Sequence, residues 1–291
     1  MLKALVVLLW PVGIAVILAV TALATKRAAR RPVPAAVSAN GHHASEAPGA
    51  RSVRSSIVGM LLILIVGAVA VYALTCLLGV LIVHQGAHID KPIYDWMSQH
   101  RVHSWKSVMN RLTKTGDTWT TWGAGVAAAV CLTAFYRKNK WLPPVAMGAA
   151  IVIDHYMTQA LRHTFHRIGP PDSPLGTFPS GGCDRILVIY GLIAYLIWRE
   201  ASGRKPVAIW AAGAVAAVAF NEAYSRQYLT LHWTTDIISG IIYGCLILGV
   251  FIATIRLVVG PAQAPATQLP VSQPGSALPV DMDGQRTPTL Q

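Results

Sequence analysis

The chain has 291 residues, 54% of them apolar and only 12% charged, with a mean hydropathy of +0.48 and a net charge of +12. Those values exclude an ordinary soluble globular domain and assign most of the chain to lipid. The positive excess does not indicate a nucleic-acid partner, because Lys and Arg fall between apolar runs instead of gathering in one soluble tract.

Taken in chain order, seven apolar segments approach the roughly 20 residues that a bilayer-spanning helix requires. They run near Leu5–Ala24, Ile57–Val83, Trp119–Tyr136, Leu142–Leu161, Ile186–Trp198, Val207–Ala223 and Ile237–Leu257, and the short fifth one extends back toward Cys183. The expected fold is all-α and polytopic. Residues 1–25 form an amino-terminal transmembrane helix, read as uncleaved because Lys26, Arg27, Arg30 and Arg31 follow it as a stop to translocation. Residues 26–55, rich in Pro, Ala, Ser, Gly and His, read as a flexible linker, 56–258 as one six-helix membrane domain, and 259–291 as a Pro- and Gln-rich tail unable to bury enough surface to fold. Cys76, Cys131 and Cys245 lie inside apolar runs and Cys183 begins another, with no C-x-x-C pair, so neither a disulfide framework nor a zinc site is indicated.

Basic residues in Lys26–Arg54, Arg137–Lys140 and Arg199–Lys205 place those segments, with the tail, on the cytoplasmic side of a cell membrane. The loops His84–Asp117, Arg162–Gly182 and Ser225–Thr235 then face outward and carry most of the reactive side chains. Ile93–Leu112 mixes apolar residues with Arg101, Lys106 and Arg111, the pattern of an amphipathic helix lying along the interface.

The densest chemistry runs from Ser225 to Asp236, S-R-x5-H-x3-D. His232 and Asp236 are four apart, so they share a face if the helix begins at or before His232. A carboxylate on one imidazole nitrogen would fix the tautomer and leave the other nitrogen as nucleophile or base. Arg226 offers a planar fork of donors suited to phosphate oxygens.

This pattern resembles the third signature of the type 2 phosphatidic acid phosphatase superfamily, which also includes vanadium haloperoxidases and polyprenyl-diphosphate phosphatases. The family's P-S-G-H corresponds to Pro179-Ser180-Gly181-Gly182, with glycine where the leaving-group acid would stand. Its K-x6-R-P corresponds to Arg162 through Pro170, with Gly169 at the arginine position. The resemblance implies a cofactor-free and metal-free phosphatase of membrane lipids. His232 attacks phosphorus, Asp236 steadies the imidazolium, and Arg226, Ser225, Arg162, Ser180 and Gly181 hold the phosphoryl group, with Arg167 and Arg185 as replacement cations. His163, His166 and Asp184 are candidate substitute acids. Because an alkoxide needs that acid more than a phosphate leaving group does, the missing histidine favours a polyprenyl diphosphate. The alternatives are a phosphotransferase with a sugar acceptor and a catalytically impaired protein that binds or transports a lipid phosphate. Asp154 and Glu222, ionisable groups within apolar helices, are expected to form buried pairs that orient arginines, with a proton relay as the alternative. The partners implied are the lipid phosphate and bulk lipid.

Overall fold

The computed structural model describes residues 53–171, 173, 177–201, 203–260 and 262. The expected amino-terminal helix, most of the linker and nearly all of the tail lie outside those residues. Six long helices carry the fold: α1 (Val53–Gln85), α4 (Thr118–Phe135), α5 (Leu142–Phe165), α6 (Gly181–Glu200), α7 (Lys205–Tyr228) and α8 (Thr234–Val259). Between α1 and α4 stand two short helices, α2 (Ala87–His100) and α3 (Lys106–Leu112). No strand occurs among the described residues. By length and composition α1, α6, α7 and α8 can each cross a membrane, and α4 and α5 pack beside them. Helix α1 begins at Val53, slightly inside the segment expected to be linker.

Helix α6 is the axis of the bundle. Of its apolar window 89% is buried, against 11% for α7 and 22% for α1, whose outward Leu and Val side chains face lipid. Ile186, Ile189, Leu192 and Leu196 fill the centre, backed by Tyr243, Ile247 and Phe251 of α8. Helix α8 approaches the start of α6 closely because Gly240 faces it: a Cβ there would lie 2.6 Å from the Ser180 carbonyl oxygen. The backbone widens into a π-turn at Ile186–Tyr190, one turn beyond the polar start of α6.

The amphipathic segment departs from a single helix over Ile93–Leu112. Arg101 and Val102 are extended, and a 3₁₀ turn at His103–Trp105 restarts the chain into α3. The break is held from outside: the Tyr228 hydroxyl donates to the Val102 carbonyl at 2.7 Å and the Arg101 guanidinium to the Thr230 hydroxyl at 3.1 Å. A continuous helix would withdraw Val102's carbonyl into its own ladder. Trp96, Trp105 and Trp119 stand exposed at this end of the bundle, as in an interfacial aromatic belt.

Candidate active site

The chain alternates direction, so the starts of α4, α6 and α8 and the ends of α5 and α7 meet at one end of the bundle. That end collects the outer-loop residues singled out from the sequence. His232 lies in the loop Leu229–Trp233, just before α8, and is only 7% exposed. Its Nδ1 lies 3.1 Å from the Thr177 carbonyl oxygen, which can only accept, so Nδ1 carries the proton. Nε2 therefore presents its lone pair, and Arg226 Nη1 donates to it at 3.0 Å. Burial first, then the guanidiniums of Arg226 and Arg162, holds the imidazole pKa well below its usual value, so the ring is neutral.

Arg226 is fixed in turn. Its Nε pairs with Glu222 one turn earlier on α7, and Asp117 at the start of α4 lies 4.0 Å from Nη2. Glu222 is fully buried and accepts from the Thr115 hydroxyl (3.2 Å), the Gly116 N–H (3.2 Å) and the Thr113 hydroxyl (3.4 Å), all in the 3₁₀ turn Thr113–Gly116. The expected role of Glu222 as an acid orienting an arginine matches this geometry. Asp154, expected to do the same, makes no hydrogen bond with either carboxylate oxygen among the described residues.

At the start of α6 the N–H groups of Gly181 and Gly182 precede any intrahelical acceptor. Two further guanidiniums reach this point. A Cβ at Gly181 would lie 2.6 Å from Arg162 Nη2 and 3.0 Å from Arg185 Nη1, which locates both side chains over the helix end. Arg185 spends Nε and Nη2 on the Gly116 carbonyl at 3.2 and 3.0 Å, leaving Nη1 toward the cradle. The space beside Gly182 is filled by the Arg226–Glu222 pair: a Cβ there would meet Arg226 Nη2 at 2.3 Å and Glu222 Oε1 at 2.4 Å.

Several expectations are corrected. Asp236 does not touch His232, because α8 starts at Thr234 and the histidine lies outside the helix, so the four-residue spacing does not put them on one face. Asp236 instead pairs with Arg167 and accepts the Trp233 N–H at 3.3 Å. Arg167, expected as a replacement cation for the phosphoryl group, has its guanidinium occupied by Asp236, by Asp90 at 2.6 Å and by the Thr235 hydroxyl at 2.9 Å. Ser225 is fully buried and its hydroxyl donates to the Glu222 carbonyl at 3.0 Å. Ser180 is also fully buried; its N–H donates to the Asp236 carbonyl at 3.0 Å and its hydroxyl faces Cys183 Sγ at 3.5 Å. Of the candidate acids, His163 and His166 are exposed at the end of α5. Asp184 lies buried beneath the cradle, taking the Thr158 hydroxyl at 2.9 Å and the Arg185 N–H at 2.5 Å.

Thr177, Asp90 and Asp117 were missed in the sequence. Asp90 had a legible signal: it shares the inward face of α2 with Ile93, Tyr94 and Met97, and an acid on an apolar stripe is a buried, partnered one. Thr177 acts through its carbonyl oxygen, for which any residue type would serve.

An all-α membrane bundle with a buried histidine and three arginines at one end defines the class. The sequence profile of the PAP2 superfamily matches residues 143–258, and that stretch of the chain carries the superfamily's sequence pattern. The matched stretch holds α5 to α8 and all three signature regions, and leaves α1 to α4 outside. Among solved structures the chain is similar in fold to the first transmembrane PAP2-type phosphatidylglycerolphosphate phosphatase, from Bacillus subtilis. The likeness has a TM-score of 0.56 at 22% identity and covers 65% of this chain and 96% of that one. No curated protein sequence matches.

Proposed function

We propose that the protein is a membrane lipid phosphatase in which His232 Nε2 takes the phosphoryl group, working at the outer face of a cell membrane. The observation that carries this reading is the neutral imidazole held by Nδ1 on the Thr177 carbonyl, with its Nε2 lone pair accepting from Arg226 and facing the end of α6 where Arg162 and Arg185 converge. A phosphoryl group at the start of α6 would take the Gly181 and Gly182 N–H groups and the Arg162 and Arg185 guanidiniums on its oxygens. Arg226, already on Nε2, would transfer its donor to a phosphoryl oxygen as the nucleophile engages.

In the first step the Nε2 lone pair forms a bond to phosphorus while the bond to the leaving oxygen breaks, and the imidazole becomes a cation. The Thr177 carbonyl dipole, in the place where a carboxylate was expected, supports that charge at Nδ1. In the second step water bonds to phosphorus, the N–P bond breaks, and phosphate leaves as His232 returns to neutral. Glu222 accepts from four donors including Arg226, so its oxygens are committed to holding that arginine in place. General-acid help is worth about two to four powers of ten when the leaving group is an alkoxide. A leaving phosphate needs far less of it, so the reading extends to a polyprenyl or similar lipid diphosphate as substrate. The sidedness rests on the Lys- and Arg-rich turns Arg137–Lys140 and Arg199–Lys205 at the opposite end of the bundle.

The test is phosphate release by the purified protein, without added metal, from a polyprenyl diphosphate and from phosphatidic acid, beside His232→Ala. Release from the diphosphate should be faster and should fall to background in the variant. Equal release by wild type and variant would refute the assignment of His232, and faster turnover of phosphatidic acid would refute the diphosphate preference.

A further inference from the structure

Helix α2 lies outside the stretch that matches the superfamily, yet it sends one buried charge into the site's framework. Asp90 is 2% exposed. Its Oδ1 accepts the Thr235 N–H at 2.9 Å, and its Oδ2 accepts both the Thr235 hydroxyl and Arg167 Nη2 at 2.6 Å. It therefore satisfies an N–H in the first turn of α8 and shares the Arg167 guanidinium with Asp236.

From Arg167 two routes lead to His232. Through its side chain, Arg167 holds Asp236, which accepts the N–H of Trp233, the residue after the histidine. Through its backbone, the Arg167 carbonyl accepts the Thr177 N–H at 3.4 Å, and the Thr177 carbonyl takes His232 Nδ1 at 3.1 Å. The two routes close a ring around the imidazole, and Asp90 is where α2 pins that ring to the start of α8. We propose that Asp90 is a positioning residue for the reaction: by fixing Arg167 and the first turn of α8 together it sets the orientation and tautomer of His232. This rests on the phosphatase reading for its kinetic consequence, but the tautomer it predicts is independent of any substrate.

The experiment uses Asp90→Asn and Thr235→Val in the full chain. The first removes the charge, and the second keeps the carboxylate but removes the hydroxyl between it and Arg167. Both are compared with wild type for folding by thermal unfolding, for kinetics on a polyprenyl diphosphate, and for ring protonation by nitrogen-15 NMR of labelled histidine. In folded variants kcat should fall by about tenfold to a hundredfold while KM stays within about twofold, because a shift of the nucleophile of order 1 Å weakens only the chemical step. The single Nδ1–H signature of His232 should give way to a mixture, and the double variant should be no slower than the slower single one, as coupled residues behave. Wild-type kcat in either folded variant, or lowered kcat with the tautomer signature unchanged, would overturn the proposal. Should Asp90→Asn fail to fold, Thr235→Val decides alone. If wild type releases no more phosphate than His232→Ala, the phosphatase reading fails, and the NMR comparison still decides the role of Asp90.

Discussion

Restoring a histidine at position 182 is the perturbation with the sharpest expected outcome. By resemblance alone, Gly182→His would return the missing acid and speed the cleavage of a phosphomonoester. The geometry predicts the opposite. The first side-chain carbon at 182 would lie 2.3 Å from Arg226 Nη2, about 1.1 Å inside the 3.4 Å at which ordinary contact begins, and 2.4 Å from Glu222 Oε1. Neither group can yield alone, since each is the other's ion-pair partner and Glu222 is also held by Thr115 and the Gly116 N–H. Arg226 must move by about 1 Å, which takes its Nη1 from its 3.0 Å contact with His232 Nε2. Displacement of that order costs roughly a hundredfold in kcat, and weakening a buried ion pair costs up to about 3 kcal/mol of stability. The assay is initial phosphate release from a lipid diphosphate and from phosphatidic acid, with thermal unfolding on the same samples. Gly182→Ala carries the same first carbon without an imidazole and should shift both measurements in the same direction by a smaller amount. Faster monoester hydrolysis by Gly182→His, or unchanged kcat in both variants, would refute the reasoning.

Other outcomes follow from the same site. Because the folded protein keeps His232 neutral below the usual imidazole pKa of about 6.5, kcat/KM should stay level as pH falls through that value and drop only at more acid pH. Arg226→Gln, which removes the guanidinium at Nε2, should move that acid limb upward, and an unmoved limb would show that another group is titrating. Ser225→Ala should leave kcat and KM within about twofold while costing about 1 kcal/mol of stability, the worth of its hydrogen bond to the Glu222 carbonyl; a tenfold rise in KM would instead make the hydroxyl a phosphate ligand. Arg162→Ala should raise KM by about tenfold or more, since a hydrogen bond to a charged group is worth about 1.5–3 kcal/mol. His163→Ala, at an exposed position on α5, should change neither constant, and a loss of kcat there would return it to the list of acids.

The helices were legible because hydrocarbon imposes one rule on every residue that crosses it. Unbroken apolar runs mark α1, α6, α7 and α8 in the sequence, and the structure moves their ends by only a few residues. The interfacial segment was less legible: the break at Arg101–Val102 depends on Tyr228 and Arg101 contacts with residues more than a hundred positions away. Among site residues, His232, Arg226, Arg162, Arg185 and Gly181 were named in the sequence and stand together at the end of the bundle. Arg167, Ser225 and Asp236 were assigned to substrate or nucleophile and are instead held by protein groups. The polar residue types that bind phosphate also cap and pair helix ends, and spacing along the chain does not separate the two uses.

What the sequence by itself determined is the solvent, the all-α class, the order of the spans and the identity of the nucleophile candidate. These follow from composition and local spacing, which neighbouring residues carry without help. Tertiary structure alone decided which partner each polar group takes. Thr177 and Asp236 both lie within reach of the His232 loop, and the start of α8 at Thr234 gave the imidazole to the Thr177 carbonyl and the carboxylate to Arg167. The same packing filled the space beside Gly182 with Arg226 and Glu222 and carried Asp90 from α2 onto the first turn of α8. Each buried polar group must find some partner, but its own sequence neighbourhood does not say which of several will be close enough. Only the assembled bundle, which brings the ends of five long helices and α2 to one place, makes that choice.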